Sequence, residues 1–282
     1  MGSVADLSQL VNTLTGGTGA SEQIWFYQDN RIGAAAGATP VVGQFTSLWT
    51  FNMMPGGQGA APGSTARNPT RTTPGALGQS DPTGGRQKYI AGAVSTATTS
   101  GVQIWYDRLA DISGLNATTI TAQNTTGLAV SRYTGAASAG NQIWIEIFTI
   151  IGTTATTISA TYTNQAGTSG RVTPLVVFGG TNRREATRII VMPLAAGDTG
   201  VRSVESVTVT ATTGTAGNFG VVIARPLVNI PIGLGGTGTL IDCLSSMPAF
   251  PEVQTGACLS QIWFASTTTS PITVGSFSMV EA

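Results

Sequence analysis

The sequence contains no histidine. That removes the commonest general base and the commonest metal ligand together, and with them Ser-His-Asp and Cys-His catalysis. Charge is scarce as well: 9% of residues are Asp, Glu, Lys or Arg, against about 25% in an ordinary soluble domain. The 13 basic and 13 acidic side chains cancel to zero. Nucleic-acid binders carry a strong basic excess, so no nucleic-acid partner is expected. The lone lysine, Lys88, stands beside twelve arginines, and arginine is the residue suited to bidentate pairing at interfaces. Two cysteines, Cys243 and Cys258, are too few for a disulfide framework in 282 residues. A bond between them would close a short loop, and two buried thiols is the favoured expectation. No stretch approaches the roughly 18 apolar residues of a membrane span, and Met1–Asp6 shows no basic segment of a signal peptide. No membrane partner is expected. No D-x-D-x-D loop is present to gather a metal, so neither metal nor cofactor is expected.

What is abundant is threonine and glycine, the latter at 37 residues. Threonine is β-branched and fits a pleated, half-wet surface. A neutral threonine surface favours association over keeping apart. One phrase, Gln-Ile-Trp, occurs four times, at Gln23–Trp25, Gln103–Trp105, Gln142–Trp144 and Gln261–Trp263, and takes four of the five tryptophans. In the third copy Ile143, Ile145 and Ile147 alternate with Gln142, Trp144, Glu146 and Phe148. Side chains on a strand alternate between faces. The phrase therefore reads as a strand opening with one aliphatic face and one Trp face, the latter covered by a second sheet or a neighbouring subunit. The intervals of 80, 39 and 119 residues hint at a propeller period. The positions where missing copies should fall do not resemble the phrase, so a propeller is not expected.

Residues 3–14 predict a short helix. Val4, Leu7, Val11 and Leu14 fall on one stripe, Ser3 caps it and Gly16-Gly17 ends it. From Met54 to Arg86 the chain holds eight glycines and five prolines, and Leu77 is its one Leu, Ile, Val or aromatic residue. Such a segment has little apolar area to offset its ordering entropy. It reads as an extended arm lying on another surface, with a linker as the alternative. From residue 88 strand-like segments recur, the clearest being 201–210 and 218–225, with others near 117–122 and 127–133. The stretch 228–257 reads as a long crossing loop. The expected fold is all-β: a β-sandwich, jelly-roll-like, with a short N-terminal helix and a long Gly/Pro-rich extended arm. The expected divisions are 1–53 (helix and strands), 54–87 (arm or linker) and 88–282 (main sandwich, which could divide into two related halves near 140).

Several constellations invite chemistry. Gly233–Gly238 matches G-x-G-x-x-G, but no helix-forming stripe follows to receive a phosphate, so it reads as a loop. Asp107 and Asp111, with Glu146, are the carboxylates a glycosidase would need beside a Trp. Nothing in their spacing selects that chemistry over ion pairing, so no catalytic residue is assigned. The basic residues Arg67, Arg71 and Arg86 of the arm, and the cluster Arg183, Arg184 and Arg188, are the candidate partner-binding set.

The stretches Thr161–Arg171 and Ala196–Val204, continuing through Gly217–Leu227, resemble the Thr/Gly-rich phrases of tailed-bacteriophage virion proteins. The composition without histidine and nearly without lysine is similar too. The resemblance covers roughly 140–227. It implies a capsid cement or decoration protein: β-rich, non-enzymatic, homo-oligomeric with a trimer favoured, bound to the major capsid protein at the virion surface and assembled in the host cytoplasm. A tail or baseplate β-sandwich that binds host-surface carbohydrate is the alternative.

Overall fold

The computed structural model describes residues 20–33, 39–243 and 250–281. The helix expected over 3–14 lies outside them. The strands are β1 (Ala20–Gly33), β2 (Phe45–Ser47), β3 (Phe51–Met54), β4 (Gly57–Gln58), β5 (Lys88–Ala97) and β6 (Gly101–Leu115). They continue with β7 (Gln123–Asn124), β8 (Gln142–Thr149), β9 (Thr156–Asn164), β10 (Arg171–Val172), β11 (Val176–Phe178) and β12 (Arg188–Met192). The last six are β13 (Val201–Val209), β14 (Asn218–Ile232), β15 (Gly238–Asp242), β16 (Glu252–Val253), β17 (Leu259–Ala265) and β18 (Ile272–Glu281).

The fold is all-β, as expected, but it is not two facing sheets alone. Six strands close into a barrel in the order β12-β2-β17-β6-β14-β8. A seven-stranded sheet runs β15-β5-β18-β1-β3-β4, with β16 on β5, and a five-stranded sheet runs β10-β9-β13-β7, with β11 on β9. The reason lies in the two-sided apolar text of the long strands. Ile143, Ile145 and Ile147 of β8 pack outward with Ile158, Tyr162, Val204 and Val207 of the smaller sheet. On the other face, Trp144 joins Phe45, Tyr106, Ile189, Val222 and Ile262, one from each of the barrel's strands, in the lumen. Trp105, Trp263 and Ile230 pack outward again, against Phe26, Phe277 and Met279 of the larger sheet. A strand apolar on both faces needs cover on both, and barrel plus flanking sheet supplies it.

β14 extends beyond the expected 218–225 to Ile232, with Pro226 at a register shift in its pairing with β6 and Pro231 beyond the end of its pairing with β8. Proline enters sheets where the ladder is broken or unpaired. The expected crossing loop 228–257 thus holds the end of β14, β15 and β16. Conversely, the stretches 117–122 and 127–133, expected as strands, are turns, bends and irregular chain apart from an isolated bridge at Ala129, and the two residues of β7 lie between them. Thr, Asn and Gly there hydrogen-bond locally, as in Asn116 Oδ1 accepting from the Thr118 N–H at 2.8 Å.

Sheet membership crosses the divisions expected at 53 and 87. β1 pairs with β18 over ten residues, and β2 sits in the barrel between β12 and β17. The segment 54–86 lies on its own chain. Arg67 and Asp111 exchange two backbone hydrogen bonds of 3.0 Å, Ser113 donates to the Gly63 carbonyl at 3.0 Å, and Leu77 donates to Leu259 at 2.8 Å. Its glycines have a steric purpose. Trp49 is fully buried, and a Cβ on Gly59 would stand 2.6 Å from its ring. The backbone can cover the indole only without a side chain there.

Candidate functional site

Strand β6 brings Asp107, Arg108 and Asp111 into the interior, all fully buried. Arg108 Nε meets Asp111 at 2.7 Å and its Nη1 meets Glu146 at 2.8 Å, while the guanidinium lies 4.5 Å from the Trp49 ring centroid. Asp111 also takes Arg67 at 2.7 Å. Asp107 is held by Arg132 through two hydrogen bonds, 2.9 and 2.7 Å, and accepts the Cys258 N–H at 2.8 Å. Two buried guanidinium groups, Arg108 and Arg132, and the part-exposed Arg67 thus balance three buried carboxylates. Burial would strip the charge from Arg108, but Glu146 and Asp111 more than reverse this and hold its pKa well above the ordinary value. Burial pushes the Asp107 carboxyl up, against the pull of Arg132. Buried charges survive only when paired in this way. Asp107 and Asp111 are engaged by hydrogen bonds as well as charge, whereas Glu146 meets Arg108 as an ion pair without hydrogen-bond geometry; all three carboxylates are buried away from solvent.

The other sequence candidates resolve individually. Arg188 is 1% exposed and reaches Thr46 Oγ1 at 3.3 Å. Its burial lowers its pKa and removes it from any outer surface. Arg71 pairs with Asp81 at 2.9 Å, Arg184 with its neighbour Glu185 at 3.0 Å, and Arg183 donates to the Val177 carbonyl at 3.0 Å. Arg86 lines a surface furrow of about 310 Å³. Gly233–Gly238 leads from β14 into strand β15, not into a helix. Cys243 and Cys258 are separate buried thiols, and burial raises that of Cys243 to about 11. Among the described residues no group of three Cys, Asp or Glu could hold a metal ion, and no helix is long and apolar enough to cross a membrane.

Two surface features had no clear sequence signal. The first is the outer face of the larger sheet. Trp25, Ser276, Val94 and Leu240 lie directly opposite one another across β1, β18, β5 and β15. Trp25 is 53% exposed, Val94 42% and Leu240 72%. The next row, Met54-Tyr27-Val274-Thr96, is also uncharged, with Tyr27 stacked beside Trp25 at 6.4 Å. Trp25 is the one Trp of the four phrases that faces solvent.

The second is a pair of furrows on either side of β16, both walled by Glu252. The larger, about 330 Å³, is lined by Tyr89, Tyr133, Arg225, Phe250 and Glu252. Pairing of Glu252 with Tyr89 brings β16 to β5. Tyr133 has φ 48°, a left-handed conformation that costs a bulky residue energy. It is pinned on both sides: Gln254 Oε1 accepts its N–H at 2.9 Å, and its hydroxyl donates to the Glu252 carbonyl at 2.6 Å. Arg225 lies 5.0 Å from its ring centroid. Burial raises the pKa of both Tyr89 and Tyr133, and the nearby Glu252 charge adds to it.

No protein-family model matches the chain, and no curated protein matches it. Among solved structures, that of infectious bursal disease virus Gt strain overlaps 96% of this chain and 84% of its own at 11% identity and a TM-score of 0.18. The VP2 subviral particle of the same virus overlaps 94% and 80% at 10% identity and a TM-score of 0.19. Similarity at that level carries no weight for fold or role, so the reading of this chain rests on its own geometry.

Proposed function

We propose that the chain is a non-enzymatic structural subunit of a virion, one that self-associates and binds the capsid shell through the major capsid protein as a cement or decoration subunit. The observation that carries this reading is the distribution of charge. Two arginines and three carboxylates are turned inward, with Arg67 reaching Asp111 from the rim, whereas the outer face of the larger sheet offers Trp25, Val94 and Leu240 in an uncharged row. A large exposed apolar patch marks an interaction site. The occupant of this face is a second copy of the chain. A face of apolar and hydroxyl side chains meets its own copy without like-charge repulsion, and the chain's zero net charge does not oppose association.

Sedimentation velocity on the purified chain, and co-sedimentation with capsid shells, test the proposal. A homo-oligomer that is lost in a Trp25→Ser/Leu240→Ser variant with unchanged melting, together with wild-type protein sedimenting with shells, supports it. A chain that stays monomeric at high concentration and never sediments with particles overturns it.

A further inference from the structure

We infer that the furrow between Tyr89, Phe250 and Glu252 is a binding site for a neutral oligosaccharide. The site goes beyond the structural role and does not depend on where in a particle the subunit sits.

Three features converge. The first is aromatic: the half-buried Tyr89 and Phe250 rings stand 6.4 Å apart at 57°, forming an angled wall in a cavity of about 330 Å³. Ring faces of this kind stack on the C–H faces of a sugar, and the Tyr89 hydroxyl, which donates to Gln87 Oε1, can still accept from a sugar hydroxyl. The second is an acceptor. Among the described residues no side-chain hydrogen bond reaches the half-buried Glu252 carboxylate, which borders both furrows. A carboxylate accepts from two adjacent sugar hydroxyls, and hydrogen bonds to a charged group are the stronger kind. The third is preorganisation. Tyr133 is held in a strained backbone conformation by Gln254 and the Glu252 carbonyl, and such strain concentrates at functional sites.

Glu252 decides between neutral and acidic sugars. Arg225, the cation of the larger furrow, is held in place: its Nη1 donates to the carbonyls of Ala137 and Ala139 and its guanidinium covers the Tyr133 ring. Glu252 borders both furrows, and a sugar carboxylate seated against it would meet a like charge. The second furrow, about 310 Å³, is lined by Gln87, Gln254 and Thr255 together with Arg86, Lys88 and Arg132, the last two paired with Glu22 and Asp107; it continues polar contacts past Glu252, which fits a chain of more than one sugar unit.

Titration of the full chain with cello-, chito- and malto-oligosaccharides, with sialyllactose and a proline-rich peptide as controls, tests the inference. The expected result is saturable binding of at least one neutral series. Tyr89→Ala and Phe250→Ala should each weaken it about tenfold or more, as for loss of a stacking ring. Glu252→Gln, which keeps the backbone pairing of β16, should also weaken it about tenfold or more. Melting curves show whether each variant is folded, and the surface change Glu252→Gln remains informative if Tyr89→Ala is not. No binding across the neutral series, binding that Glu252→Gln and Phe250→Ala leave unchanged, or binding confined to sialyllactose or the peptide overturns it.

Discussion

Ile104 and Ile262 lie directly opposite each other across β6 and β17, so the second and fourth Gln-Ile-Trp phrases meet in antiparallel register. Trp105 then faces Gln261 across the ladder, and Trp263 faces Gln103. The two isoleucines enter or line the lumen while both tryptophans pack on the larger sheet. The glutamines connect barrel to sheet: Gln103 donates to Gln261, Gln261 donates to Gln28 of β1, and Gln28 donates to the Leu48 carbonyl at 2.5 Å.

The chain of amides gives the first prediction. Gln261→Leu removes the middle member and leaves Gln28 and Gln103 with buried polar atoms lacking a partner. An unsatisfied buried group costs about 1–3 kcal/mol. Denaturant unfolding of Gln261→Leu should show an unfolding free energy lower by about that amount or more, with a lower midpoint. A Gln28→Leu/Gln261→Leu pair should lose less than the two single losses added.

The interior charges give a second. Arg108→Met leaves Glu146 buried without its cation, and breaking one side of a buried pair costs about 3–5 kcal/mol. Adding Glu146→Leu removes the stranded charge, so the double variant should be more stable than Arg108→Met alone. Equilibrium unfolding of the four members of this cycle measures the coupling. Equal losses from Arg108→Met with and without Glu146→Leu would show that the 2.8 Å pair does not carry the stability assigned to it.

How much of this was legible beforehand depended on whether an element's partner lay nearby in sequence. The alternation in Gln142–Phe148 correctly announced a strand with two unlike faces, both destined for burial. That six such strands close on themselves was not legible, because closure is set by pairings such as β2 with β17, between Ser47 and Ile262. The segment 54–86 misled for a physical reason. Its composition promised no core of its own, yet its glycines let the backbone cover Trp49, and its Arg67 completes the charges on Asp111. The carboxylates Asp107, Asp111 and Glu146 looked like an undecided cluster, because the compensating Arg67 and Arg132 arrive from distant segments. The furrow at Glu252 gave no local signal at all, since Tyr89, Tyr133, Arg225 and Phe250 are gathered only by the fold.

Acid stability follows from two ion pairs in which an exposed arginine covers a sheltered carboxylate. Tyr162 and Arg171 hydrogen-bond Asp198 and hold its carboxyl at about 2, below the usual 3.8. Arg31 does the same for Asp29, also to about 2. A carboxylate whose pKa is lowered by folding contributes stability that is fully present above its unfolded pKa and is lost as pH falls through the folded one. Stability should therefore be level in this respect above about pH 4 and decline between about pH 4 and about pH 2. Asp198→Asn should flatten part of that decline. Urea midpoints measured across the interval check it, and a slope identical in wild type and variant would contradict the assignment.

Lys88 supplies the last prediction, because the chain has no other lysine. Its Nζ is buried, at 2.7 Å from Glu22 Oε2 and Ser80 Oγ, 2.6 Å from the Ser80 carbonyl and 3.6 Å from Glu281. One ammonium thus ties β1, β5, the end of β18 and the 80–83 turn, where Thr83 also donates to Glu281. Acylation requires a free, deprotonated amine at the surface, so Lys88 should resist an amine-reactive ester in the folded protein and react once the sheet edge opens. Peptide mapping of Lys88 against denaturant concentration should track global unfolding, since opening this corner separates the first and last strands of the larger sheet. Lys88→Met should cost about 3–5 kcal/mol by stranding Glu281 and part of Glu22. Rapid acylation of Lys88 in native buffer would mean that this corner opens independently of the barrel.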